Sequence, residues 1–226
     1  MRWRSIGLVA LIIAFQTGAV PTDLPLVLVP ANAATERPLV LLLSGDGDWA
    51  AFVRELAAQL ADHGAPVLGM KMRTYLATAR TPDEAATAIG AAVDVQLREW
   101  GRRELVIVGY SRGADLAPFL VNRWPPELRA RVAAMVLIGL SERAGLEFHF
   151  EDLFRDVERP TDLPTRPELE KIMDIPIACV RGEDEVESFC LHPTSTMRSL
   201  VHEGSHRVRA DDGTIDLVLR ELKLVP

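Results

Sequence analysis

The stretch Val106 to Leu116, VIVGYSRGADL, places a serine between two glycines where a β-branched apolar run gives way to a helical pattern. Gly109-Tyr110-Ser111-Arg112-Gly113 has the G-x-S-x-G spacing of a nucleophile elbow, with a predicted strand before it and a predicted helix after it. On such an elbow the serine adopts strained backbone angles that lift its hydroxyl clear of the sheet. Side chains two residues before and after it would collide with the neighbouring strand and helix, so both positions are glycine. The N-terminus of the helix brings a positive end to a developing oxyanion, and the backbone N–H of Arg112 is one expected donor. A serine at an ordinary strand–helix turn is the plainer reading; the paired glycines favour the nucleophile.

A serine hydroxyl attacks efficiently only when a base takes its proton and an acid orients that base. For a serine on such an elbow the chain order is serine, acid, histidine. Of the five histidines, His192, His202 and His206 follow the acidic candidates. His202 ends a predicted strand and His192 lies soon after Cys190. His206, in EGSHRV, falls in the loop between that strand and the final helix, where the base belongs; a solvated loop histidine is the alternative. The acid belongs after the strand Ile177 to Arg181, in Gly182-Glu183-Asp184-Glu185-Val186-Glu187. A glycine closing the strand, with an acid three residues on, favours Glu185. Asp184 is the alternative, and Glu183 and Glu187 read as solvated.

The second oxyanion donor is expected from Ser44-Gly45-Asp46-Gly47-Asp48-Trp49, through backbone N–H groups of Gly45, Asp46 and Gly47. The same segment fits a dinucleotide fingerprint, Gly45-x-Gly47-x-x-Ala50, but Asp46 and Asp48 would face a pyrophosphate with like charge. The next strand also runs into Lys71 and Arg73, where a ribose-binding acid is required. The nucleotide reading is rejected. No H-E-x-x-H or calcium-loop spacing occurs, so the site is predicted to need no cofactor and no metal.

Positioning these groups takes a scaffold of alternating strands and helices. Strands are predicted at Pro38–Ser44, Ala65–Met70, Glu104–Val108, Val132–Ile138, Ile177–Arg181 and Thr196–His202. Helices are predicted over Trp49–Asp62, from the capping box Thr81-Pro82-Asp83-Glu84 to about Trp100, over Ala114–Trp124 and over Gly213–Leu222. The pattern predicts an α/β fold, a doubly wound and mostly parallel sheet of about six strands with helices on both faces. Residues 141–174 are irregular and too long for a simple connection, and read as a cap or lid on a single domain spanning 34–226. Phe148, Phe150 and Phe154 lie in this excursion, either as core or as a lipid contact.

Met1-Arg2-Trp3-Arg4, the apolar Ile6–Phe15 and the small residues of Ala31-Asn32-Ala33 read as a signal peptide over 1–33. Thr17-Gly18-Ala19 is a second cleavage candidate, and an uncleaved inner-membrane anchor is the alternative to export. The formal net charge is −7, and an acidic chain without a basic run lacks the footprint of nonspecific nucleic-acid binding. Cys179 and Cys190, an even count in an exported chain, are expected to pair. Their bridge would span the acid loop and brace it for the histidine.

With these residues in view, the chain resembles the VirJ/AcvB family of exported bacterial virulence proteins, which look like small serine α/β-hydrolases. The matching stretches are SGDGDW (44–49), RTP (80–82), GYSRGADLAPF (109–119), LEFHF (146–150), CVRGEDEVESFC (179–190) and the GSH before the last helix. The resemblance implies the α/β-hydrolase fold, a periplasmic location, a Ser111–acid–His206 triad and, for AcvB-type members, hydrolysis of the aminoacyl ester of lysyl-phosphatidylglycerol. VirJ-type members also imply secretion-system proteins as partners, with the fold serving as a scaffold. The chain departs from the pattern where Asp48 replaces a glycine before Trp49, where Tyr75 and Leu76 replace a fuller aromatic cluster, and where Ser205-His206-Arg207 replaces a double histidine. A lysyl substrate gives Asp46, Asp48 and Asp115 a possible task as receivers of its ammonium group. Turn formation and the helix dipole account for the same aspartates without a ligand.

Overall fold

Apolar runs that do not alternate imply strands covered on both faces, and the central strands follow this rule. The computed structural model describes residues 24–32, 35–154, 157–209 and 213–225. In chain order its elements are β1 (Leu26–Val29), β2 (Leu39–Leu43), α1 (Ala51–Asp62), β3 (Val67–Met70), α2 (Met72–Tyr75) and α3 (Pro82–Glu99). Next come β4 (Leu105–Tyr110), α4 (Arg112–Arg123), α5 (Pro126–Arg129), β5 (Val132–Ile138) and β6 (Arg143–Ala144). The chain continues through β7 (Leu163–Pro164), α6 (Arg166–Leu169), β8 (Ile177–Gly182), β9 (Met197–His202) and α7 (Thr214–Glu221). The main sheet has seven strands in the order β1-β3-β2-β4-β5-β8-β9, parallel throughout except for β1 against β3.

Successive side chains of a strand point to opposite faces, and β2 divides its burial accordingly. Leu39, Leu41 and Leu43 pack with α3 and α4 on one side, while Val40 and Leu42 pack with α1 and α7 on the other. Helix α3 starts where its capping box predicts: Thr81 Oγ1 accepts the Glu84 N–H at 3.2 Å, and Glu84 Oε2 accepts the Thr81 N–H at 2.8 Å. Helix α4 starts at Arg112, two residues earlier than its apolar periodicity suggests.

The seventh strand, β1, lies within the stretch expected to be the leader. Pro25 and Pro30 flank it, which suits an edge strand whose ends need no ladder donors. Its register pairs Leu26 with Met70 and Val29 with Val67, and the Pro25 carbonyl accepts the Lys71 N–H at 3.1 Å. The rest of the expected leader, residues 1–23, and Ala33 at the expected cleavage site fall outside the described residues. Among the described residues no helix is long and apolar enough to cross a membrane.

The excursion over 141–174 carries the short antiparallel pair β6–β7, a 3-10 turn at Phe150–Leu153 and the single turn α6. It is fastened to the body where the Phe148 N–H meets the Leu76 carbonyl at 2.7 Å and the Arg80 N–H meets the Leu146 carbonyl at 3.0 Å. Phe148 is half-buried against the core. Phe150 and Phe154 are exposed and pair edge to face with centroids 5.5 Å apart.

Cys179 in β8 is bonded to Cys190, eleven residues on, and both are buried. In the chain-entropy model a loop of this size stabilises the fold by about 3 kcal/mol. The double variant Cys179→Ala/Cys190→Ala is expected to lose about that much in denaturant titration, and reductant should bring the wild type close to it. Equal stability with and without reductant would contradict the bridge's role.

Candidate active site

Strand β4 ends at Tyr110 and α4 begins at Arg112, which leaves Ser111 alone to make the turn. Its backbone sits at φ 52, ψ −122, a strained conformation for a residue with a side chain. Three hydrogen bonds pin it: the Ser111 N–H donates to the Ile138 carbonyl at 2.8 Å, and the Ser111 carbonyl accepts from Ala114 at 2.7 Å and Asp115 at 3.0 Å. The flanking glycines have the steric reason their spacing implies. A Cβ on Gly109 would sit 2.6 Å from Ala114 Cα, and one on Gly113 would meet the carbonyls of Leu43 and Ser44.

Around this serine the sheet gathers groups that are remote in sequence. Ser111 Oγ lies 2.8 Å from His206 Nε2, and His206 Nδ1 lies 2.7 Å from Glu185 Oε1. The second oxygen, Glu185 Oε2, accepts the Gly182 N–H at 2.6 Å, so the glycine that ends β8 also fixes the acid. Burial raises the Glu185 pKa, but the hydrogen bond from His206, the Gly182 N–H and the charges of His206 and His202 outweigh it and hold the acid below the ordinary carboxylate range. A carboxylate on Nδ1 requires the proton on that nitrogen, which leaves Nε2 as the acceptor facing the serine hydroxyl. The arrangement can deprotonate Ser111 and stabilise the imidazolium that forms.

Of the two candidate acids, Glu185 and not Asp184 is the one bonded to the imidazole. The Asp184 side chain is exposed, and its backbone N–H donates to the Gly204 carbonyl at 3.0 Å. Glu183 and Glu187 are exposed as well. His202 is buried with Nδ1 against the Glu203 carbonyl, and His192 is exposed beyond Cys190.

Gly45 backs directly onto the nucleophile: a Cβ there would lie 3.0 Å from the Ser111 Cβ. The first N–H groups of a helix have no acceptor within it, and Arg112 supplies the first of α4. Gly45 and the first N–H of α4 thus both lie next to Ser111. Gly47 is exposed at the tip of this loop and does not line the cleft. The loop closes tightly through the Asp48 N–H on the Gly45 carbonyl at 2.9 Å.

Asp48 stands at φ 53, a conformation natural to glycine, and its side chain compensates. Its carboxylate takes the Thr74 N–H at 3.1 Å and the Thr74 hydroxyl at 2.6 Å, with Arg73 Nε at 3.5 Å. The expectation that it binds substrate is corrected: it is held on α2 and does not line the cleft. Asp46 does line the cleft, yet its carboxylate is gripped by Arg112, Nε to Oδ1 at 2.5 Å and Nη2 to Oδ2 at 3.0 Å. Arg112 also reaches Asp152 Oδ2 at 2.8 Å and the Gly145 carbonyl at 3.0 Å. Burial works against the Arg112 charge, but Asp46 and then Asp152 outweigh it and raise its pKa. One guanidinium thus ties the elbow, the β2–α1 loop and the 141–174 excursion together.

Sequence reasoning missed that side-chain role of Arg112 and also the role of Tyr110. The Tyr110 hydroxyl donates to the His206 carbonyl at 3.1 Å, and its ring stacks on the imidazole at 6.1 Å. Both residues occupy the variable positions of G-x-S-x-G, which the motif leaves undefined.

The cleft over Ser111 has a volume of about 670 Å³ and is lined by Asp115, Glu142, Arg159, Glu187 and His206, among others. Asp115 is 7% exposed, and its Oδ1 accepts the Ser141 N–H at 2.8 Å. Burial pushes its pKa up to about 7 against the pull of the Ser141 N–H, His206 and Arg112.

Sheet order, elbow and triad define an α/β-hydrolase fold. The chain belongs to the VirJ family: the family model described as bacterial virulence protein (VirJ) matches residues 38–224. Solved structures of similar fold include Est1E from Butyrivibrio proteoclasticus, at 16% identity over 88% of this chain and 90% of that one, TM-score 0.59. The esterase EaEST from Exiguobacterium antarcticum is 15% identical over 88% and 94%, TM-score 0.58. Proline iminopeptidase from Mycobacterium smegmatis is 14% identical over 88% and 93%, TM-score 0.58. No curated protein sequence matches the chain. At these identities the solved structures speak to the fold alone.

A carboxyl whose pKa is higher in the folded state than in the unfolded one contributes most stability when both states hold the proton. That contribution is lost as pH rises from the unfolded value, about 4, through the folded one, about 7. Asp115→Asn removes the titrating group and keeps an acceptor for Ser141. The variant is expected to be more stable than wild type by a few kcal/mol at pH 8 and to show little difference near pH 4. A pH-independent difference in denaturant titrations would contradict the assignment.

Proposed function

We propose that this chain is an exported serine hydrolase that cleaves the aminoacyl ester of lysyl-phosphatidylglycerol at the outer face of the inner membrane. The observation that carries the hydrolase reading is the chain of contacts Ser111 Oγ–His206 Nε2 and His206 Nδ1–Glu185 Oε1. Ser111 Oγ attacks the ester carbonyl while Nε2 takes its proton. The N–H of Arg112 and those of the 45–46 loop hold the oxyanion. The imidazolium returns the proton to the departing glycerol oxygen as the C–O bond breaks. Water, deprotonated by the same Nε2, then releases lysine from the acyl-enzyme.

Membership of the VirJ family and the carboxylates around the cleft support the lysyl ester as substrate. Phe150 and Phe154, exposed on the lid, are suited to touch the lipid phase. The Cys179–Cys190 bridge supports export to an oxidising compartment. One neighbour in fold is named an esterase, which supports a second reading: a general esterase preferring uncharged acyl chains. The family's description as a virulence protein supports a third, a scaffold that binds secretion-system proteins without need of catalysis.

Vesicles containing lysyl-phosphatidylglycerol separate these readings. Wild type is expected to release free lysine, and Ser111→Ala to reduce the rate by about 10³-fold or more. Lysyl lipid succinylated on both amines, with reversed charge, is expected to react roughly tenfold more slowly or worse. Equal turnover of short neutral esters and the lysyl lipid would favour the general esterase. A virulence effect that survives Ser111→Ala, with hydrolysis abolished, would favour the scaffold.

A further inference from the structure

The three aspartates near the serine differ in what their carboxylates still have to offer. Both Asp46 oxygens are held by Arg112, and both Asp48 oxygens by Thr74. Asp115 is more than nine-tenths buried and lines the cleft beside Ser111 and His206. Its Oδ1 is bonded to the Ser141 N–H, and among the described residues no basic side chain lies in salt-bridge contact with it, His206 and Arg112 acting on it only from a distance. A buried carboxylate open to a cleft without a contacting cation is costly unless a ligand supplies the charge.

We propose that Asp115 receives the α-ammonium group of an aminoacyl ester, so that the protein selects for α-amino esters and is largely indifferent to charge at the far end of the acyl chain. This rests on the ester-hydrolase reading but not on the lysyl lipid as substrate. The Asp115 N–H donates to the Ser111 carbonyl at 3.0 Å, which fixes the two residues one helical turn apart. Ser111, His206 and Asp115 line the same cleft, which sets the carboxyl within reach of a group bound at the serine. In an ester poised for attack, the α-nitrogen is two bonds from the reacting carbon and the lysyl ε-nitrogen is six. A carboxylate this close to the nucleophile suits the first; the second would be carried past it along the cleft. Burial holds the empty site's carboxyl near neutrality, and a bound ammonium would supply the missing countercharge.

Four esters of one alcohol test this. Lysyl carries both amines, norleucyl only the α-amine, 6-aminohexanoyl only the ε-amine, and hexanoyl neither. In wild type, kcat/KM for lysyl and norleucyl is expected to agree within about threefold and to exceed both others by roughly tenfold or more. In Asp115→Asn the norleucyl-to-hexanoyl ratio is expected to collapse toward one. That ratio is internal to each protein, so a loss of folded enzyme cancels from it. The proposal is overturned if 6-aminohexanoyl keeps pace with lysyl, or if the α-amine advantage survives in Asp115→Asn. Thermal stabilisation by norleucinamide over hexanamide reads the same contact without turnover, and its absence in wild type would also overturn the proposal. Cleavage of the lysyl lipid without an α-amine advantage sinks this inference alone. An α-amine advantage on soluble esters without cleavage of the lipid sinks only the lipid reading.

Discussion

A 2.8 Å contact between Ser111 Oγ and His206 Nε2 joins groups 95 residues apart, and much of the fold is arranged to make it. The serine must leave the sheet on a strained turn, which excludes side chains at 109 and 113. The histidine must arrive from the loop after β9, and Tyr110 and Glu185 hold it from two directions. Strands β4, β5, β8 and β9 are consecutive neighbours in the sheet, so their carboxyl ends deliver serine, acid and base side by side.

Charges elsewhere in the cleft are largely matched. Arg112 bridges Asp46 and Asp152, and Asp152 is also bonded by Arg159 at 2.7 Å. Burial would raise the Asp152 pKa, but Arg159, the His149 N–H and Arg112 bring it below its ordinary value. Asp115 stands apart from this matching, buried, without an ion pair among the described residues and displaced upward in pKa. Ionisable groups kept at such a cost concentrate where ligands or reactions use them.

The elbow was legible in the sequence because its demands are local: two glycines around a serine, set where the apolar period changes from strand to helix, suit a sharp turn and little else. His206 was legible from its place after the last strand. The acid was narrowed to Glu185 over Asp184 by the spacing from Gly182, and the structure gives that spacing its reason, a bond from the Gly182 N–H to Glu185 Oε2. Asp46 and Asp48 share a residue type and a loop, and their fates depend on partners 66 and 26 residues away that no spacing reveals. Strand β1 was hidden because an apolar run bracketed by prolines reads equally as a leader and as an edge. The aromatics of the 141–174 excursion were ambiguous between core and surface, and they divide, with Phe148 packed inward and Phe150 and Phe154 outward.

Reaction with a fluorophosphonate, mapped by peptide mass spectrometry, tests the catalytic account most directly, because the phosphorus is captured only by an activated hydroxyl. The predicted result is one adduct per chain, on Ser111, forming roughly a hundredfold more slowly once His206 is replaced by alanine. An unmodified Ser111, or labelling whose rate ignores the loss of His206, would contradict it.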